Sequence, residues 1–203
     1  MITVSIEPER PDPRKLRQVA DVLLDHGVAL YPTDTVYALG GVVDSRRAVE
    51  RIHRLKQMDA RQPLAIIVTE LREAARYGMI SDFGYRQMRR LTPGPYTFVL
   101  EATREVPRVL LDKRRQIGIR IPDSRICAGL VQALGKPLLT SSAIPPGAED
   151  ACRDVDEGKE AWPSGIDVAV DGGATPGRIS TVVSLIGDRI EVLRAGQGAE
   201  ELE

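Results

Sequence analysis

The densest run of reactive side chains lies between Tyr31 and Gly41, where the sequence reads YPTDTVYALGG. Thr33, Asp34, Thr35 and Tyr37 place two hydroxyls, a carboxylate and a phenol almost side by side. The run follows an apolar strand directly, the place where open α/β sheets receive ligands. Hydroxyls there either bind a ligand or cap turns, and composition leaves both uses open. Cations are the second resource. Residues 1–148 hold 23 Lys and Arg against 16 Asp and Glu, and residues 149–203 hold 5 against 13. The basic residues cluster as Arg51, Arg54 and Lys56, as Arg86, Arg89 and Arg90, and as Lys113, Arg114 and Arg115. A chain with net charge −1 can thus offer a positive concavity to a polyanion.

Several chemistries are excluded. No GxxxxGK cradle exists, and no GxGxxG follows a strand, which removes the P-loop and the dinucleotide fingerprint. GxSxG is absent, and two histidines, His26 and His53, leave little room for a Ser-His-Asp arrangement. His26 reads as a dipole contact in a helix's last turn, and His53 as a solvated helix residue. Cys127 and Cys152 form no CxxC and have no histidine partners, so neither a disulfide framework nor a zinc site is expected, and no metal ligands are assigned. Aromatics at 4% keep any base-stacking surface small.

Elements must position these residues. Residues 2–6 alternate as a strand; Asp12 then caps a helix with Pro13 at its first position, ended by Gly27. Residues 28–31 form a strand and 32–41 a loop, and Asp44 caps a helix carrying Ala48, Val49, Ile52 and Leu55 at helical spacing. Strands are expected at 64–68, 96–102 and 116–121, with short helices near 70–77, 82–90 and 106–113. Asp123 caps a helix that runs to Leu134 and stops at Gly135. Strands at 137–141 and 167–171 flank a polar excursion, Pro145 to Gly165, with a short helix. A hairpin of 181–186 and 189–194 turns at Gly187-Asp188. The expected class is α/β (α+β), a single domain over 1–203 with a twisted, mixed, open sheet and flanking helices. The first ten residues lack a signal-type apolar run, and no 18-residue apolar stretch occurs, so a cytoplasmic protein without a membrane segment is expected.

The motif YPTDTVYALGG resembles the YPT-[DE]-TVYGLG signature of the YrdC-like superfamily. Lys56 with Pro63-Leu64, LTPGPYTFVL (91–100), IGIRIP (117–122), SSAIPPG (141–147), ISTVVSL (179–185) and Arg194-Ala195-Gly196 match its other segments, so the resemblance spans essentially the whole chain. The 91–100 and 105–122 segments are closest to its YciO branch. The resemblance implies a YrdC-like fold and the condensation of L-threonine, bicarbonate and ATP into L-threonylcarbamoyl-AMP and pyrophosphate. Mg²⁺ would travel on the phosphates, and partner proteins would use the product to modify tRNA. By the same resemblance Lys56 and Arg120 are catalytic, and Thr35, Arg120, Ser142 and Ser180 hold threonine. Lys56, Gln62, Thr97 and Arg194 hold ATP. The alternative it implies is an accessory protein that binds tRNA or double-stranded RNA, through Arg86, Arg89, Arg90, Lys113, Arg114 and Arg115, or a nucleotide-binding paralogue without synthase activity. Three positions depart from the pattern. Met58 replaces an arginine, Ile144 replaces an asparagine, and Gln62 stands where asparagine or lysine is usual. The losses at Met58 and Ile144 would make ATP handling poor unless Arg61 or Arg54 substitutes.

Overall fold

The computed structural model describes residues 1–59, 62–111 and 113–202. In chain order the first half runs β1 (Ile2–Ser5), α1 (Pro13–Leu24), β2 (Ala29–Pro32), β3 (Tyr37–Val42), α2 (Arg46–Leu55), β4 (Ala65–Ile67), α3 (Leu71–Tyr77), β5 (Gly78–Met79), α4 (Asp82–Leu91) and β6 (Tyr96–Ala102). The second half runs β7 (Gln116–Arg120), α5 (Arg125–Leu134), β8 (Leu138–Ser142), α6 (Val155–Ala161), β9 (Val168–Asp171), β10 (Thr181–Ser184) and β11 (Glu191–Arg194). Among the described residues the strands form one mixed sheet in the order β1-β9-β2-β3-β8-β4-β7-β6-β10-β11, with β5 beside β6. The result is a single α/β domain.

Period-two alternation divides the sheet's residues between two faces. Ile66, Ile119, Phe98, Leu139 and Val183 point one way, into a core closed by Ala48, Val49 and Ile52 of α2 and by Met88 and Leu91 of α4. On the other face α1 and α5 cover Ala29, Tyr31, Ala38, Ile67, Leu138 and Val168. Leu16, Val19 and Leu23 supply α1's side of that layer, each contributing about 1.5–3 kcal/mol by leaving water. The cover stops at Ile67 and Leu138. One register step on, the same face shows the row Thr140, Ala65, Gly118 and Val99. Small residues there leave a floor rather than a packing ridge.

Most expected elements are present, with informative differences. Residues 37–41, expected in a loop, belong to β3, an inner strand paired with β2 and β8. Its two glycines read as loop formers, but the strand is buried throughout. The cap of α2 is Ser45, whose Oγ accepts the Ala48 N–H at 3.1 Å, because Asp44 is committed to Lys136 at 2.6 Å. Likewise Ser124 caps α5, while the Asp123 N–H is donated to Asp34 Oδ2 at 3.1 Å. α1 ends before Gly27, through His26 at φ 61°, whose Nδ1 meets Ser45 Oγ at 3.0 Å instead of the helix end. His53 is buried, its ring nitrogens facing the carbonyls of Val49 (2.9 Å) and Gln62 (2.8 Å). Residues 106–113 give only a 3₁₀ turn at Arg108–Leu110. No helix among the described residues is long and apolar enough to cross a membrane.

Candidate active site

Above the small-residue floor lies a cavity of about 620 Å³ lined by Lys56, Gln62, Thr97, Arg120, Ser142, Ser180 and Arg194, among others. Each arrives on a different element. Arg120 ends β7 beside Thr97 of β6, Lys56 closes α2 as its C-terminal cap, and Arg194 ends β11, in register with Val182 of β10. Ser180 precedes β10, and its Oγ lies 3.2 Å from Thr97 Oγ1. Arg194 Nη2 donates to Ser180 O at 2.9 Å and to Ser180 Oγ at 3.3 Å.

The 33–36 turn reaches the cavity through Arg120. Thr33 caps that turn, its Oγ1 donating to Val36 O at 2.7 Å and accepting the Thr35 and Val36 N–H groups. Thr35 faces the guanidinium, accepting from Arg120 Nη2 at 2.7 Å. Asp34 Oδ1 accepts from the same Nη2 at 2.5 Å. These contacts occupy Nη2 and leave the buried Nε without a partner among the described residues. An unpaired buried donor is costly, and an anion in the cavity would satisfy it.

Positive charge is the dominant electrostatic feature. Lys56, Arg120 and Arg194 share the cavity, and no carboxylate lines it among the described residues. Burial first, and the charge of Arg194 second, lower the Lys56 pKa from 10.5 to about 8. Burial, then the charge of Arg120, lowers Arg194 as well. Cations held together against their own repulsion call for an anionic ligand. Because the folded pKa of Lys56 lies below its unfolded one, this group's contribution to stability rises with pH between about 8 and 10.5. Anion affinity has the opposite slope. Calorimetric titration with pyrophosphate is expected to show binding that weakens as pH passes upward through the Lys56 transition, which the bound anion itself moves higher. In the Lys56→Arg variant the part of that slope due to the lysine vanishes, since arginine stays charged throughout, and only the titration of pyrophosphate itself remains.

Thr35, Lys56, Gln62, Thr97, Arg120, Ser142, Ser180 and Arg194 therefore come together. Met58 and Ile144 line the same cavity. Arg54 is exposed on α2, and Arg61 lies outside the described residues. The six basic residues assigned to RNA divide. Arg86, Arg89 and Arg90 are exposed on α4, which packs on the face of the sheet opposite the cavity floor, whereas Arg114 lines the cavity and Lys113 and Arg115 are exposed beside it in sequence. Arg51 of the remaining basic cluster is paired with Asp167 at 2.6 Å.

The sequence model of the Sua5/YciO/YrdC family, which carries the description "Telomere recombination", matches residues 21–196. The chain belongs to that family. Escherichia coli (strain K12) YciO, described as uncharacterized, is 37% identical over 194 residues, covering 95% of this chain and 94% of that protein. The crystal structure of E. coli YciO superposes with a TM-score of 0.93 over 98% of this chain and 97% of that one, at 36% identity. Threonylcarbamoyl-AMP synthase of E. coli (strain K12) is 33% identical over 167 residues, covering 79% of this chain and 84% of that protein. P. abyssi Sua5 complexed with L-threonine superposes with a TM-score of 0.88 at 28% identity, covering 97% of this chain and 58% of that one. The YrdC-like chain thus spans little more than half of Sua5.

One polar residue of this Sua5/YciO/YrdC cavity escapes sequence reasoning: Ser141, which accepts from Lys56 Nζ at 2.6 Å. Asp34, a carboxylate of the 31–41 run without an expected role, holds Arg120 from beside the cavity. Ser141 and Ser142 are adjacent, and strand alternation would give only one of them to the cavity. The strand's end lies where the Lys56 side chain comes round, so both take part.

Proposed function

We propose that the chain condenses L-threonine, bicarbonate and ATP into L-threonylcarbamoyl-AMP, releasing pyrophosphate. The supporting observation is the gathering of Lys56, Arg120 and Arg194 around one cavity that no described carboxylate lines. The reaction brings together a triphosphate and two carboxylates, so cations and exclusion of water matter more than acid–base groups. In this reading the free Nε edge of Arg120 takes the threonine carboxylate, with Thr35, Ser142 and Ser180 supplying hydroxyls around the amino acid. Lys56 and Arg194 take phosphate oxygens, and Thr97 and Gln62 line the nucleotide's side. The carboxylated threonine nitrogen then presents its new carboxylate oxygen to the α-phosphorus, and pyrophosphate leaves. Asp34 is already bound to Arg120 and the Asp123 N–H, so the residues present suit Mg²⁺ that arrives on the triphosphate with phosphate and water ligands. A cytoplasmic setting accords with two buried cysteines that form no disulfide. A tRNA-modifying partner would consume the product, since a carbamic–phosphoric anhydride hydrolyses if it waits.

Incubation with ATP, Mg²⁺, L-threonine and bicarbonate tests the reading by mass spectrometry. Threonylcarbamoyl-AMP that disappears when threonine is omitted supports it; ATP left intact at high protein concentration rejects it. Met58 and Ile144 set the level. Methionine offers no donor to a phosphate oxygen, and isoleucine pairs with no polar edge. The double variant Met58→Arg/Ile144→Asn is expected to bind ATP at least tenfold more tightly, on the basis of about 1 kcal/mol from each restored contact. Calorimetric titration of ATP into both proteins checks this, and unchanged affinity would mean the wall has been rebuilt for another ligand.

A further inference from the structure

Lys56 and Ser141 form a pair that binding of ATP and threonine does not explain. Lys56 Nζ lies 2.6 Å from Ser141 Oγ, and both line the cavity. Each is fixed by a regular element. Ser141 lies in β8, in register with Leu39 of the inner strand β3. Lys56 is held at the end of α2, its N–H donating to Ile52 O at 3.0 Å. A hydroxyl within hydrogen-bond reach of an amine is the geometry of a nucleophile with its base. The amine suits the task, because in the unliganded cavity burial and the Arg194 charge bring it to about 8, leaving a neutral fraction near neutral pH, while Arg194 and Arg120 offset part of the rise that a bound anion brings. The same cavity carries Arg194 and the unpartnered Nε of Arg120, donors for a phosphate that departs or for an oxyanion that forms.

We propose that Ser141, with Lys56 as its base, attacks the carbonyl carbon of mixed acyl–phosphate anhydrides, giving the chain an acyl-phosphate hydrolase activity. As the Oγ–C bond forms, the Ser141 proton passes to Lys56 Nζ. The bond from the acyl carbon to the bridging oxygen breaks, its electron pair leaves with the phosphate, and Lys56 returns the proton to that oxygen. Water then attacks the seryl ester. Lys56 takes the water's proton and delivers it to Ser141 Oγ, and the acyl group departs as the acid. One water is consumed per anhydride. The proposal rests on the cavity and not on the synthase reaction, although the product proposed above is itself such an anhydride.

Acetyl phosphate is a suitable probe. The wild-type protein is expected to hydrolyse it faster than buffer and to carry an acetyl ester on Ser141, located by peptide mass spectrometry and removed by alkaline hydroxylamine. Ser141→Ala loses that ester, and turnover falls by about a hundredfold or more, since with no nucleophile to activate the contribution of the base is lost as well. Lys56→Arg keeps the positive charge but cannot act as a base, and loses the same turnover with a melting curve like that of the wild type. Ser141→Cys restores acylation as a thioester. Hydrolysis no faster than in buffer, an unchanged rate in Ser141→Ala, or an acetyl group found as an amide on Lys56 would each overturn the proposal. Adenylate formation without acetyl phosphate turnover rejects this activity and leaves the synthase reading standing; acetyl phosphate turnover without adenylate does the reverse.

Discussion

Replacing Arg120 with alanine is expected to weaken threonine binding about ten- to a hundredfold and to loosen the fold at the same time. The side chain is 5% exposed and holds Asp34, itself 10% exposed. Removing one partner of such a buried pair leaves an uncompensated carboxylate and costs about 3–5 kcal/mol. Binding suffers separately. A charge-assisted contact to the threonine carboxylate contributes about 1.5–3 kcal/mol, which is roughly ten- to a hundredfold in affinity. The two losses can be pulled apart. Asp34→Asn combined with Arg120→Met removes both charges, so urea denaturation should recover much of the lost stability while calorimetry still shows the weakened threonine binding. If Arg120→Ala binds threonine as the wild type does, the carboxylate lies elsewhere and the assignment of Arg120 fails.

Gly40→Ala has a comparably large expected effect, from packing alone. A Cβ at this position would stand 2.2 Å from the Leu139 carbonyl oxygen and 2.7 Å from Cε1 of Tyr31. The first obstacle is backbone of an inner strand, which cannot yield without breaking the β3–β8 ladder. The second is a fully buried ring that crosses the bare glycine so that its hydroxyl donates to Leu139 O at 3.3 Å. Overpacking commonly costs about 1–3 kcal/mol, and a rigid backbone neighbour puts this case at or above the upper end. Denaturant unfolding should show a much reduced midpoint, or the protein should be recovered only in aggregates. Gly135→Ala is the contrast. No heavy atom lies within 4 Å of its added Cβ, and only the positive φ of 65° is strained, so its loss should be about 1 kcal/mol.

These glycines also explain how far the fold could be read from sequence. Helical spacing with the Asp12 cap located α1, helical spacing with the Gly135 stop located α5, and alternation located most strands, because those signals are local. β3 was hidden because Gly40 and Gly41 look like turn residues until Tyr31 is known to need the space. At α2 and α5 the sequence points to Asp44 and Asp123, one residue before the caps Ser45 and Ser124. Asp and Ser stand side by side at both, and only the fold shows Asp44 paired with Lys136 and the Asp123 N–H donated to Asp34. His53 gave no sign that its ring would be buried against the Gln62 carbonyl. The cavity itself was legible only by resemblance. Nothing in spacing joins Lys56, Arg120 and Arg194, which meet through sheet register. Ser141 carried no signal beyond its neighbour.

The position of Arg194 at the end of β11 has a consequence for biosynthesis. Among the described residues β11 pairs only with β10, and β10 joins the sheet through parallel pairing with β6, whose residues precede it by more than eighty positions (Thr181 with Tyr96). Contacts of such separation form late, and a chain leaving the ribosome from its N-terminus presents Lys56 and Arg120 long before Arg194. A nascent chain would then hold the floor of the cavity with two cations and an open side. Its grip on a polyanion would tighten only when the last strands dock.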